Sequence, residues 1–211
     1  MIELSGMFVN KGWRRTVMAL AKLSDIRRKE LRQAAFAVLQ REGIAGATLE
    51  KVAMEAGCSK GIVLHYFANK NALFEEVMRE ANLDLGRLVA ERMRLAKSPQ
   101  ERLEAIIKAN FEPRFFRPSV CHAWLSFCAE VPREPTLARI QRAIHSRMHS
   151  NLLSCLKHML DRRDAEVVAL NVSAIIDGLW LRLGLDASSV TPEGAIAQVM
   201  DYLESRLPRP E

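Results

Sequence analysis

Apolar residues in this chain recur every three or four positions. Glycine and proline fall mostly between the segments that do so, and no alternating apolar run bounded by turns is present. Such spacing buries one stripe of a helix and gives a half-buried strand nothing to pack, so the predicted fold class is all-α, with about nine helices. The predicted segments run from about Asp25 to Glu42, Thr48 to Ala56, Ser59 to Phe67, Asn69 to Ala96, and Pro99 (capped by Ser98) to Asn110. Four more run from Ser119 to Val131, Thr136 to Leu160, Asp164 to Asp186 and Thr191 to Leu207. Gly43 stands where the first helix must stop, and Ser98-Pro99 has the order of a cap and a first helical position.

A chain of 211 residues, 49% apolar, buries a substantial core as one large domain or as a small one joined to a larger one. The net charge of +6 is unevenly placed. Residues 1–70 hold 12 Lys and Arg against 6 Asp and Glu, while residues 71–211 hold 19 of each. A basic lobe on a neutral body attracts phosphates and releases their counterions, which points to a polyanion partner; a basic solvated face without a partner is the competing reading. Cys58, Cys121, Cys128 and Cys155 form no C-x-x-C pair and no signal-like N-terminal run is present, so the expectation is a cytoplasmic chain with reduced thiols. Asn171, Asp177 and Arg182 interrupt the most apolar long segment, Val167 to Leu185, so no membrane span is expected.

That eighth segment is nonetheless apolar around most of its circumference and must be covered on two sides. One side packs within the chain. The other is best covered by a second copy, giving a homodimer through helices eight and nine, with a central helix of a monomer as the alternative. Residues 1–24 precede the first clear cap and are expected to be an extension, disordered or lying upstream of a true start at Met18, with Trp13-Arg14-Arg15 as a candidate DNA-reaching arm. The predicted organisation is this extension, a helix-turn-helix domain over 25–72 and a ligand-binding and dimerisation domain over 73–211.

The most specific feature lies between positions 48 and 73. Thr48 is placed as an N-cap; Leu49, Val52, Ala53 and Ala56 share a face; Gly57 suits a left-handed turn; Ser59 caps the next helix. The second helix offers Lys60, Gly61, Ile62, Val63 and His65 near a DNA-facing N-terminal end, whose free N–H groups also suit phosphate. Thr48, Ala56-Gly57, Ser59, Gly61, Tyr66-Phe67, Lys70 and Leu73 together resemble the signature of the TetR family of transcriptional repressors. The resemblance implies that Thr48, Tyr66 and Lys70 hold backbone phosphates while Lys60, Ile62 and Val63 face base edges of a palindromic double-stranded operator. Cys58, where Val is usual, and Leu64, where Tyr is common, depart from the pattern.

A second resemblance covers much of the remaining chain. Asn110-Phe111, Trp124-Leu-Ser-Phe127, Ser150-Asn-Leu and Ile176-Asp-Gly-Leu-Trp-Leu-Arg182 are similar to the choline-responsive, BetI-type branch of that family. It implies a small-molecule inducer, choline or another quaternary amine. Such a cation donates no hydrogen bond and binds through cation–π attraction and apolar contact. Phe111, Trp124, Phe127 and Trp180 are the candidate faces, with Glu112, Glu130 or Asp177 as counter-charge, although aromatics at helical spacing also serve as plain core. Cys128 replaces an aromatic expected in that branch. Asp177, inside an apolar helix, is a buried partner for a Lys or Arg, a ligand contact, or a hydrogen-bonding group at a dimer seam.

His145 and His149 have the spacing of two metal ligands, but no third ligand accompanies them, so no metal is expected. Cys121 and Cys128, seven apart on one helical face, are expected to be buried thiols rather than a redox pair. The chain has no G-x-S-x-G, P-loop or G-x-G-x-x-G, so neither catalysis nor a cofactor is expected. The alternative function is a small-molecule binding or interaction protein of the same fold that has lost specific DNA binding. The fourth helix, joining head to body, is the expected lever of a ligand response.

Overall fold

The computed structural model describes residues 5–208, with side chains from Thr16 onward except Val17 and Ala19. The described residues form nine helices: α1 (Ser5–Gly46), α2 (Leu49–Glu55), α3 (Lys60–Tyr66), α4 (Lys70–Leu95), α5 (Pro99–Asn110), α6 (Pro118–Glu130), α7 (Pro135–Leu156), α8 (Arg162–Leu185) and α9 (Pro192–Glu204).

Most helix starts follow from local chemistry. The side chains of Thr48, Ser59, Asn69, Ser98, Asp161 and Thr191 each accept a hydrogen bond from a backbone N–H three residues on, satisfying a donor that has no partner within the helix. Several boundaries differ from the sequence reading. α8 starts at Arg162 because Asp161, not Asp164, is the cap, with its Oδ1 2.8 Å from Asp164 N. α7 starts with Pro135 at its first position and ends at Leu156, four residues early.

The largest difference is at the N-terminus. α1 continues back to Ser5 instead of beginning at Asp25. No proline stands between Ser5 and Gly46, so nothing removes a donor from the ladder. The side chains of Trp13, Arg14 and Arg15 lie outside the described residues. At the other end Gly43, with φ 65°, breaks the helix as expected. A Cβ there would lie 2.7 Å from Ser126 Oγ, so a side chain is excluded by space as well as by conformation.

Two cores result. The head core gathers Leu31, Val38 and Leu39 of α1, Val52 of α2, Val63 of α3 and Leu73 and Phe74 of α4. It is completed by residues far away in sequence, Ala123 and Phe127 of α6 and Leu137 and Ile140 of α7. The body core gathers α5 (Ile106, Ile107), α7 (Leu152, Leu156), α8 (Val168, Val172, Ile176, Leu179) and α9 (Ala195, Val199). α4 spans both, placing Val77 and Met78 in the first and Val89 and Met93 in the second. Its 26 residues reach about 39 Å. α6 crosses α8 where Gly184 lies against the Cys121 backbone, and a Cβ at that glycine would fall 2.8 Å from the Cys121 carbonyl carbon.

α8 has the length and composition to cross a membrane, contrary to the sequence reading, which judged its polar residues disqualifying. One face of it lies in the body core, while Val167, Leu170, Leu181 and Leu185 are exposed in the single chain.

Candidate functional site

Two sites emerge, one in the head and one between head and body. In the head, Gly57 at φ 61° turns the chain between α2 and α3, and Cys58 N donates to Ala53 O at 2.9 Å. Val63 is 0% exposed and anchors α3 in the head core. The neighbouring Lys60, Gly61, Ile62, Leu64 and His65 are exposed along one surface. Lys60 Nζ lies 2.5 Å from Glu50 Oε1, and this pairing, the largest influence on it, holds the Glu50 carboxyl below its usual range. Both side chains are half exposed or more, so the Lys60 ammonium keeps donors free beside Glu50. Tyr66 is half-buried, with its ring edge-on to His65 at 5.0 Å. Lys70, the first residue of α4, holds its ammonium 6.0 Å from the Phe74 ring centre.

The second site is a cavity of about 470 Å³, within the range that holds a drug-sized ligand. α8 contributes Ile176, Asp177 and Trp180; α6 contributes Val120, Ala123 and Trp124; α7 contributes Ile144 and Met148. The Trp124 and Trp180 rings meet edge to face, 6.3 Å apart at 73°. Trp180 Nε1 donates to the Asn110 carbonyl at 3.2 Å, which fixes the indole and satisfies its only polar atom. Asp177 is 45% exposed by area, yet enough protein surrounds it that burial raises its carboxyl above the ordinary range. His145, with Nε2 3.3 Å from Asp177 Oδ2, pulls it back down. The site thus pairs two indole faces with a carboxylate, and a cation there would stabilise the ionised form as His145 does.

Residues 31–77 match the tetR family of bacterial regulatory proteins, and residues 99–208 match the C-terminal domain of BetI-type transcriptional repressors. The chain belongs to the TetR family, in its BetI-type branch. Among its relatives, HTH-type transcriptional regulator BetI 1 of Chromohalobacter salexigens is 37% identical over 188 residues, 89% of this chain and 93% of that protein. The BetI of Vibrio atlanticus is 36% identical over 187 residues, 88% and 94%. A transcriptional regulator from a Rhodococcus species shares the fold at a TM-score of 0.76 and 26% identity, covering 87% of this chain and 99% of its own. A regulator from Saccharomonospora viridis, solved in complex with choline, shares the fold at a TM-score of 0.76 and 19% identity, covering 87% and 98%. This BetI-type protein is therefore a DNA-binding transcriptional repressor, and its relatives are regulators rather than enzymes.

The structure brings together only some of the residues singled out from sequence. Trp124, Trp180 and Asp177 meet at one cavity. Phe111 does not line it: it is 1% exposed and packs edge-on against Phe116 in the body core, centres 4.9 Å apart. Phe127 does not line it either, being fully buried in the head core behind Trp124, on which its ring stacks. In the head, Val63 points inward, so its side chain cannot meet a base edge, and exposed Leu64 occupies the surface beside His65. Glu112 pairs with Arg92, and Glu130 Oε1 lies 3.8 Å from Arg133 Nη1; neither lines the cavity.

What sequence reasoning missed is the wall supplied by the head itself, Lys29, Arg32, Gln33 and Phe36 of α1, together with Phe115. The available signal was slight: α1 carries cationic residues immediately beside its apolar stripe. Among the described residues no group of three His, Cys, Asp or Glu is placed to hold a metal. His149 Nε2 instead meets Glu166 Oε2 at 2.9 Å. Burial pushes the thiols of Cys121 and Cys128 up to about 12, so both remain protonated and unreactive near neutral pH.

Proposed function

We propose that this repressor binds a palindromic operator as a homodimer through α8 and α9, and that a quaternary amine of choline's type, seated in the cavity, releases it. The observation that carries the ligand half is the convergence of Trp124, Trp180 and Asp177, which offers π faces and a negative charge to a cation without hydrogen-bond donors. The choline held by the Saccharomonospora viridis regulator supports the same ligand class. In this reading residues 25–72 are the DNA-binding domain, 73–211 bind ligand and dimerise, and the protein works in the cytoplasm.

On DNA, Thr48, Tyr66 and Lys70 hold phosphates. Lys60, Ile62 and His65 reach base edges, with Leu64 beside them, while Ser59 and Gly61 bring the start of α3 close to the backbone. Two such heads enter successive major grooves about 34 to 36 Å apart. A ligand shifts the heads only as far as its affinity differs between the two head positions. The cavity supports such a difference, because α1 of the head and α8 of the body both line it.

The deciding experiment is fluorescence anisotropy of the purified protein on DNA from upstream of its own gene, at fixed salt, titrated with choline and betaine aldehyde. Tight sequence-dependent binding released by choline supports both halves. Tight binding indifferent to either compound removes the ligand assignment, and absence of specific binding favours the reading as a binding protein.

Two substitutions separate the sites. Lys70→Ala is expected to weaken binding to every DNA sequence about equally and to lower the slope of log K against log salt by roughly one phosphate. Trp124→Ala is expected to leave operator affinity intact while abolishing the ligand response; loss of operator binding in that variant would make Trp124 structural.

A further inference from the structure

The walls of the cavity differ in charge. α6 and α8 contribute Trp124, Trp180 and the carboxylate of Asp177. α1 and α4 contribute three cations, Lys29, Arg32 and Arg87, with Glu80 and Asp84. Two of these cations are already neutralised. Arg32 Nε lies 2.5 Å from Glu80 Oε2 and its Nη1 3.6 Å from Glu76 Oε2, while Arg87 Nη1 lies 2.6 Å from Asp84 Oδ1. Lys29 lines the cavity without a hydrogen-bond or ion-pair partner among the described residues. The α1 and α4 wall therefore carries one surplus ammonium, while the α8 wall carries the Asp177 carboxylate, whose neighbour is His145 at 3.3 Å.

Size points the same way. About 470 Å³ is several times the volume of a choline molecule, so choline at the tryptophans would leave part of the cavity to water. Position adds a third argument. Lys29 belongs to the DNA-binding head and Asp177 to the body, so a ligand reaching both gains or loses a contact whenever the head moves, as an inducer must.

Resting on the quaternary-amine reading above, we infer that the effector is a two-ended zwitterion whose quaternary ammonium sits at Trp124, Trp180 and Asp177 and whose anionic group, carboxylate or phosphate, is read by Lys29. Lys29 is thus a specificity-determining residue. An ammonium meeting an anion through a charge-assisted hydrogen bond adds affinity that choline cannot gain.

The test is quenching of tryptophan fluorescence in the full-length protein by choline, by phosphocholine and by the succinate monoester of choline, which differ in the reach of the anion, with inorganic phosphate as a fourth probe. At least one zwitterion is expected to bind roughly tenfold tighter than choline, and Lys29→Gln to remove that advantage while leaving choline affinity unchanged. Lys29→Arg is expected to restore most of it. Equal binding of choline and both zwitterions, or an equal loss for all three in Lys29→Gln, overturns the inference while leaving the quaternary-amine reading in place. Phosphate binding as tightly as the zwitterions also overturns it, because the site then reads an anion alone. Failure of choline and both zwitterions to bind overturns the quaternary-amine reading, and this inference with it.

Discussion

Leu170→Glu is expected to convert the protein to a monomer and to lower its operator affinity by roughly 10²- to 10⁴-fold, the avidity lost when two linked half-sites are read singly. Leu170 is 66% exposed in the single chain, on a helix whose other face is the body core. It shares its strip with exposed Val167, Leu181 and Leu185. At 100° per residue these four fall within about 60° of arc, a narrow apolar seam of the kind that a second helix covers. Gly178 lies in the same strip, and a Cβ there would meet nothing within 4 Å, which leaves room for a partner backbone to come close. A carboxylate in this seam would face its own copy across the two-fold axis, desolvated and unpaired. Light scattering should report a mass near the 23.8 kDa of one chain, with helical content by circular dichroism unchanged because the substituted side chain touches solvent in the monomer. A variant that remains dimeric would place the interface elsewhere.

Phe127→Ala is expected to cost about 3–5 kcal/mol of folding stability, the usual loss for emptying a buried phenylalanine site, and to lower the thermal midpoint by roughly 10 °C. Its ring is 0% exposed and stacks on Trp124, centres 5.2 Å apart at 27°. It therefore links the head core to the residue that faces the cavity. One residue before it, Ser126 Oγ accepts the Ile44 N–H at 2.5 Å, just past the Gly43 break. α6 thus touches the cavity through Trp124 and the head through Ser126 and Phe127, which makes it a second candidate, beside the α4 expected from sequence, to carry a ligand response. Differential scanning calorimetry on Phe127→Ala and Trp124→Ala checks the distinction, with the larger loss of stability expected in Phe127→Ala. A Phe127→Ala protein as stable as the parent, but blind to ligand, would return Phe127 to the ligand site.

The contrast between these two aromatics shows what was legible in advance. They lie three positions apart on one helix and read alike in sequence. Only the docking of α1 and α7 against α6 makes one a core residue and leaves the other at a cavity. Val63 and Leu64 tell the same story on α3, where of two adjacent apolar residues one is buried and the other exposed. The missed α1 wall has the same origin, since nothing local tells Lys29 or Phe36 that α8 will pass nearby.

From sequence alone one could read the helices, most of their caps, the turn at Gly57, the stop at Gly43 and the family signature from Thr48 to Leu73. These depend on chemistry within a few residues: a side-chain oxygen reaching a free N–H, a glycine at positive φ, an apolar stripe at helical spacing. The tertiary structure alone decided which aromatics reach the cavity, which cation is left unpaired beside it, and that α6 touches both the cavity and the head core. Burial, pairing and cavity shape arise from residues tens of positions apart coming to share one space, and periodicity along a helix says which face is apolar without saying what will lie against it.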